Sequence, residues 1–258
     1  MAVGTERIDK GRAEEAGSPG DDESHVLQIV SRLDGRPRSG LLTNQLVKTR
    51  ARKRRPRGDS QAAVFQAAAH EFAERGYDAA RVDRIAERAR VNKAMLYYHY
   101  GSKEALYVEV LREMFLALCV RGRAIADSAS GAEEKLDAWV EAIVEEAAAR
   151  PWFPPIMLRE LGSGAVHIDD PTFETLNGVY LGARDIIVQG QREGRFRDAD
   201  PLLTYLTILP SILIFFARQR LVTQRRSLQG LAAAAPRQAS DFIRHMQISA
   251  RGILRKDI

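Results

Sequence analysis

The fold class is decided by residues 82–100, which have the sequence VDRIAERARVNKAMLYYHY. Val82, Ile85 and Ala89 recur at the spacing that places side chains on one face of a helix. The short segment RARVN then leads into a second helical run that opens at Asn92. Two short helices joined by a tight turn form a helix-turn-helix, so the pattern predicts a helix pair suited to the major groove of DNA.

A longer helix is predicted on each side of this pair. Asp59 or Ser60 can cap the preceding helix, and Gly76 is expected to end it in the left-handed conformation. The following helix opens at Ser102. Residues 58–106 are therefore predicted to form a three-helix DNA-binding domain.

The remaining residues, 107–258, continue as helices, and no segment alternates long enough to be a strand. Pro151, Pro154 and Pro155 are expected to punctuate between helices, and Pro210 to kink one. The fold class is therefore all-α. The predicted later helices are Glu133–Ala149, Ile156–Leu161, Thr172–Arg192, Pro201–Arg220 and Ser240–Leu254.

Positive charge is concentrated around the helix pair. Residues 48–107 carry 14 basic and 7 acidic side chains, whereas residues 108–258 carry 19 of each. A basic block beside a neutral remainder indicates a polyanionic partner for that block. One cysteine excludes an internal disulfide, and the N-terminus lacks a signal peptide, so we expect a cytoplasmic protein.

The first 57 residues are predicted to be a disordered extension that ends in a basic arm. The arm, KTRARKRRPR at residues 48–57, has seven basic residues in ten. It is either a solvated linker or a segment that follows DNA phosphates, and its position before the helix pair favours the second interpretation. Its central basic residues are Arg52, Lys53, Arg54 and Arg55.

The second helix of the pair has a free face that suits DNA. Asn92 can cap it and donate to a phosphate or base, and Lys93 lies in its first turn. The other candidate contacts are Ala94, Met95, Tyr97, Tyr98 and His99. Tyr97 is expected to be part core, and His99 is either a phosphate donor or only the polar end of the helix. Lys103 opens the next helix, where its charge is unfavourable unless an anion is near.

Residues 67–106 resemble the DNA-binding domain of the TetR family of bacterial transcriptional regulators. The matching elements are Phe72, Gly76-Tyr77, Val82, Ile85-Ala86, Ala89, Val91, Leu96-Tyr97-Tyr98-His99-Tyr100, Ser102-Lys103-Glu104 and Leu106. The resemblance implies an all-helical homodimer in which the third helix reads DNA while the tyrosines and Lys103 hold phosphates. It also implies a larger C-terminal helical domain for ligand binding and dimerisation.

The sequence departs from the family pattern at two places. Arg90 stands in the turn where glycine is usual, and a left-handed backbone there would cost about 1 kcal/mol. Ala80-Arg81 stands where Thr or Ser usually opens the second helix. Arg81 and Arg90 each offer a phosphate contact in exchange.

The C-terminal region supplies candidate pocket and interface residues. Large side chains that could line a ligand cavity, or simply form the core, are Phe115, Trp139, Trp152, Phe153, Met157 and Tyr180. Apolar side chains expected in a dimer interface are Leu206, Leu209, Leu213, Phe216, Phe242 and Met246. The apolar run Leu202–Ala217 is interpreted as a buried or interface helix rather than a membrane span. His167, Asp169 and Asp170 lie close together in the sequence, but they provide too few ligands for a metal site. No metal or cofactor is therefore expected.

Two functions are consistent with the sequence. The first is a homodimeric repressor that a small hydrophobic or amphipathic ligand releases from a palindromic operator. The second is a DNA-binding regulator controlled by a protein partner or by its own N-terminal tail. An enzyme is disfavoured because no nucleophile–base arrangement, metal-ligand spacing or phosphate-binding glycine loop is present.

Overall fold

The computed structural model describes residues 57–224 and 239–256. Within these two ranges the chain forms nine α-helices and no strand, which confirms the predicted all-α class. The helices are α1 (Arg57–Ala79), α2 (Val82–Ala89), α3 (Lys93–Tyr100), α4 (Lys103–Ala126), α5 (Ala132–Ala149), α6 (Phe153–Gly162), α7 (Asp170–Arg192), α8 (Pro201–Gln224) and α9 (Ala239–Leu254).

Several predictions lie outside the described residues. They are the disorder of the N-terminal extension and the contacts of the arm residues Arg52, Lys53, Arg54 and Arg55. Arg57, which the sequence assigned to the arm, is instead the first residue of α1.

The two ends of α1 differ in detail from the prediction. Because α1 begins at Arg57, neither Asp59 nor Ser60 caps it. Asp59 lies in its first turn, where the positive end of the helix dipole favours a negative charge. Gly76 has φ 77° and ψ 170°, so its φ is positive as expected but its conformation is not the left-handed helical one. The chain bends at Gly76, and one more helical turn follows to Ala79.

The helix-turn-helix is built as the sequence predicts. Ile85 on α2 and Leu96 on α3 are both fully buried. Ala86 is small where the helices meet, and its carbonyl accepts a hydrogen bond from the Val91 N–H at 3.0 Å. These contacts fix the angle at which α3 leaves the domain.

The long helix α4 packs closely along α7 through glycines. A methyl group on Gly182 would lie 3.3 Å from the backbone carbonyl carbon of Gly122. The Cys119 side chain occupies the space beside Gly178, where a methyl group would overlap its sulfur. The α4 and α7 backbones therefore approach closely and form the scaffold of the C-terminal half.

Prolines have a different role from the one expected. Pro154 and Pro155 lie at the start of α6, where a missing N–H leaves no hydrogen bond unmade, so α6 begins at Phe153. The prediction that they separate helices was wrong for these two. Pro210 lies inside α8, which continues to Gln224. The kink expected there stays a prediction.

Within the described ranges, α8 is the one helix long and apolar enough to cross a membrane, with a mean hydropathy of 1.6 over residues 201–218. The core helix of a soluble protein meets the same criterion. Ile208, Ile212 and Leu213 of this helix are buried in the core of the chain, while the buried share of residues 201–218 as a whole is 33%.

Helix α6 contacts the end of α1 through Arg159. The Arg159 Nη1 atom donates to the carbonyls of Phe72 at 3.1 Å and Ala73 at 2.6 Å. Both carbonyls lie just before the bend of α1 at Gly76. Arg159 supplies these hydrogen bonds and so joins the helix-turn-helix region to the C-terminal half.

A buried carboxylate lies next to this arginine. Glu160 is 2% exposed, and its Oε1 accepts a hydrogen bond from the Tyr107 hydroxyl at 2.6 Å. The same oxygen lies 3.0 Å from Nδ1 of His167, whose ring packs 4.3 Å from that of Tyr77. Burial, followed by this hydrogen bond, raises the pKa of Tyr107. His167 thus belongs to a cluster that joins α4, α6 and the end of α1.

Candidate DNA-binding site

Local hydrogen bonds define both ends of α3. The Asn92 side chain accepts from the Ala94 N–H at 3.0 Å, which is the cap that the sequence predicts. After Gly101, the Ser102 hydroxyl accepts from the Ala105 N–H at 2.9 Å and caps α4. The length of α3 therefore follows from residues within and beside it.

Several of the side chains predicted to contact DNA are exposed on α3 or directly before it. Asn92, Lys93 and Ala94 are exposed at the N-terminal end of α3, and Met95 is half-buried. Tyr98 is 64% exposed, so its side chain is accessible to a partner. These residues combine polar donors, one ammonium group and the apolar side chains of Ala94 and Met95, which are groups that can contact base edges and phosphates.

One member of this surface has a partner that sequence reasoning missed. The Lys93 Nζ atom lies 2.9 Å from Asp83 Oδ1, which belongs to the first turn of α2. Hydrogen bonding and the charge of Lys93 lower the pKa of Asp83, and Asp83 raises the pKa of Lys93 for the same reasons. The two residues form an ion pair on the surface that α3 presents to solvent.

The turn between α2 and α3 has the geometry for which glycine is usual. Arg90 has φ 57° and ψ 40°, which is the left-handed conformation, and its N–H donates to carbonyls at the end of α2. Its side chain is exposed. Arg81 at the other end of α2 makes no side-chain cap hydrogen bond, as expected when Thr or Ser is absent.

The C-terminal half of α3 is attached to α1. His99 Nε2 lies 3.0 Å from the hydroxyl of Ser60, and the Tyr100 hydroxyl donates to the Gln61 carbonyl at 3.2 Å. Burial raises the pKa of Tyr100 to about 12. Tyr97, by contrast, is 44% exposed, in agreement with its expected division between core and surface. His99 and Tyr100 therefore hold α3 against the domain.

Lys103 also has partners within the chain. Its Nζ atom donates to the Asp78 carbonyl at 3.3 Å and lies 4.5 Å above the ring of Tyr77. The predicted phosphate contact would need this ammonium group to share or leave these partners.

The six candidate pocket residues lie in or against one hydrophobic core. Phe115, Trp139, Trp152, Phe153 and Met157 are buried there, and Tyr180 packs against it partly exposed. An open cleft of about 570 Å³ lies elsewhere, between α3, α4 and the start of α7. None of the six lines that cleft.

The six candidate interface residues divide into two groups. Leu209, Leu213, Phe242 and Met246 are buried within the chain's own core, so they contribute to packing inside one subunit. Leu206 is 52% exposed, and Phe216 is partly buried. Other large apolar side chains exposed on α8 and α9 are Leu202, Leu203, Ile214 and Ile248.

In residues 57–224 and 239–256, no group of three or more His, Cys, Asp or Glu is arranged to hold a metal ion.

Comparisons with known proteins cover the helix-turn-helix and the helices after it. The family profile described as bacterial regulatory proteins, tetR family, matches residues 64–110, which contain the helix-turn-helix and the start of α4. The chain is 30% identical over 153 residues to the HTH-type transcriptional repressor SCO4008 of Streptomyces coelicolor, covering 58% of this chain and 74% of that protein.

The chain belongs to the TetR family of bacterial regulatory proteins.

Two further matches extend the similarity to TetR-family proteins beyond the helix-turn-helix. The HTH-type transcriptional repressor KstR2 of Mycolicibacterium smegmatis is 34% identical over 148 residues, covering 55% of this chain and 70% of that protein. The solved structure of the ketosteroid transcriptional regulator KstR2 of Mycobacterium tuberculosis superposes with a TM-score of 0.61 at 25% identity, covering 76% of this chain and 95% of that one. This TetR-family chain is a DNA-binding transcriptional regulator, and the matched relatives are regulators and not enzymes.

Proposed function

We propose that the protein is a cytoplasmic homodimeric repressor that binds a palindromic operator through α3. The observation that carries the proposal is the exposed N-terminal half of α3, where Asn92, Lys93 and Ala94 face solvent together. In this function they contact base edges, while Met95 and Tyr98 add apolar and hydroxyl contacts. Arg81, Arg90, Tyr97, His99 and Lys103 are the proposed phosphate contacts around them.

Exposed apolar side chains on α8 and α9 support the proposed dimerisation. Leu203, Leu206 and Ile214 on α8 are each more than half exposed, as is Ile248 on α9. Pairing these helices with the same helices of a second subunit would bury them in a four-helix arrangement. Two copies of α3 would then fit half-sites about 34–36 Å apart or a multiple of that distance.

Release requires a ligand that binds the two states of the repressor with different affinity. A small hydrophobic or amphipathic molecule would have to open space among the buried aromatic side chains around Trp139, because these side chains pack in one core. Two matched relatives named KstR2 support a search among such molecules, since the solved one is described as a ketosteroid regulator. The ligand would act by changing the separation of the two α3 helices.

The test begins with in vitro selection of DNA sequences by the full-length protein, followed by footprinting and sizing of the complex. We expect a two-fold symmetric sequence bound by a dimer, and then its release by members of a sterol and fatty-acyl library. Binding without any sequence preference, or a monomer at the concentrations of the assay, would contradict the proposal.

The alternative control mechanism rests on the residues before the basic arm. Deleting residues 1–47 should leave operator affinity and ligand response unchanged if the ligand alone regulates. Altered regulation in this variant would favour control by the N-terminal tail or a partner bound to it.

The basic arm has its own test. Replacing Arg52, Lys53, Arg54 and Arg55 with alanine should weaken binding to all sequences alike and flatten its salt dependence, because phosphate contacts carry no sequence information. A loss confined to one operator would refute the arm's proposed role.

A further inference from the structure

The ion pair between Asp83 and Lys93 is unexpected on a surface that faces DNA. Its nitrogen–oxygen distance is 2.9 Å, and the side chains of Lys93 and Asp83 are 46% and 58% exposed. An exposed carboxylate repels phosphates, so it lowers the affinity for all DNA sequences. Because Asp83 weakens binding to DNA of any sequence, we looked for an effect of this residue on sequence selectivity.

The surroundings explain why the pair forms. Asp83 lies in the first turn of α2, where the helix dipole stabilises a negative charge. Lys93 is the first residue of α3, where its positive charge is repelled by the positive end of the helix dipole and needs an anion nearby. The carboxylate of one helix start therefore compensates the ammonium of the other.

The pair restricts what Lys93 can contact. A lysine has a long flexible chain and three N–H donors, and when free it can swing to the nearest phosphate. A hydrogen bond to Asp83 engages one donor and holds the ammonium near the start of α3. Two donors remain, which is enough for the O6 and N7 acceptors of a guanine in the major groove.

We propose that Asp83 is a positioning residue that directs Lys93 to a guanine edge and keeps it from the DNA backbone. The inference rests on the proposed function, because it requires α3 to lie in the major groove. Asp83 gives up affinity for DNA in general and gains discrimination at one base pair of each half-site.

The test compares four variants of the full-length protein, D83N, K93A, the double variant D83N/K93A and the control E87Q. Glu87 carries the same charge one turn further along α2 and is exposed. Each variant is used in sequence selection, and its dissociation constants for the selected operator and for random DNA are measured over a range of salt. Melting curves confirm that each variant is folded.

We expect D83N to bind random DNA more tightly and with a steeper salt dependence, the slope of log K against log salt growing by about 0.9 for one added phosphate contact. Its operator-to-random ratio should fall about tenfold, the size of one lost base contact. Selection with D83N and with K93A should relax at the same base pair. E87Q should change both affinities alike and leave their ratio intact.

Three results would overturn the inference. The ratio could stay unchanged in D83N, it could fall equally in E87Q, or D83N could lower it further in the K93A background, which would mean that Asp83 does not act through Lys93. A wild-type protein that selects no sequence would instead refute the proposed function itself.

Discussion

Replacing Arg90 with glycine should stabilise the protein, because Arg90 has φ 57° and ψ 40° in the turn between α2 and α3. A residue with a β-carbon pays about 1–2 kcal/mol for the left-handed conformation. Glycine avoids that strain but loses about 0.4–1 kcal/mol through the greater freedom of the unfolded chain. The net expectation for R90G is a gain of about 0.5–1 kcal/mol, which corresponds to a rise in melting temperature of about 1–4 °C for a domain of this size.

The assay is thermal unfolding followed by circular dichroism at one fixed protein concentration, since the proposed dimerisation would make the melting temperature depend on concentration. R90A is the matched control, because alanine removes the same side chain but keeps the strained backbone. R90A should therefore show no gain. A melting temperature of R90G equal to or below that of R90A would refute the argument from backbone strain.

Three further substitutions test other parts of the fold by the same unfolding assay. R81T should add the missing cap of α2 and raise stability by about 1 kcal/mol, and an unchanged midpoint would show that the cap is already satisfied. G190A should lower stability by about 1–3 kcal/mol, because the new methyl group would overlap the buried ring of Phe196, whereas G252A, in open space on α9, should not destabilise. E160Q should cost about 1–3 kcal/mol by disturbing a buried hydrogen-bonded carboxylate, and a neutral result would show that this cluster is not needed for folding.

Sequence reasoning succeeded where the deciding interactions are local. Asn92 caps α3 and Ser102 caps α4 through side chains that reach no further than three residues along the chain. The burial of Ile85 and Leu96 follows from helical periodicity in the same way. These features could be predicted because the caps and the periodicity that decide them lie within the segment itself.

The parts that could not be predicted depend on distant partners. Arg159 completes the end of α1 by bonding carbonyls 86 and 87 residues earlier in the chain, and no local pattern announces this. The start of α6 near Pro154 could not be predicted for a different, local reason. Proline both ends helices and begins them, so its identity alone leaves the α6 boundary undecided.

For the lysines that open α3 and α4, the sequence predicts that a negative group lies nearby, but it does not predict which group. Lys93 and Lys103 each place a positive charge at the positive end of a helix dipole, so each needs negative potential nearby. The structure supplies it from the Asp83 carboxylate for Lys93, and from a carbonyl and the face of Tyr77 for Lys103. A carboxylate is a full charge, while a carbonyl and a ring offer only partial ones. A DNA phosphate therefore competes more readily for Lys103 than for Lys93, which is consistent with a backbone contact for the first and a base contact for the second.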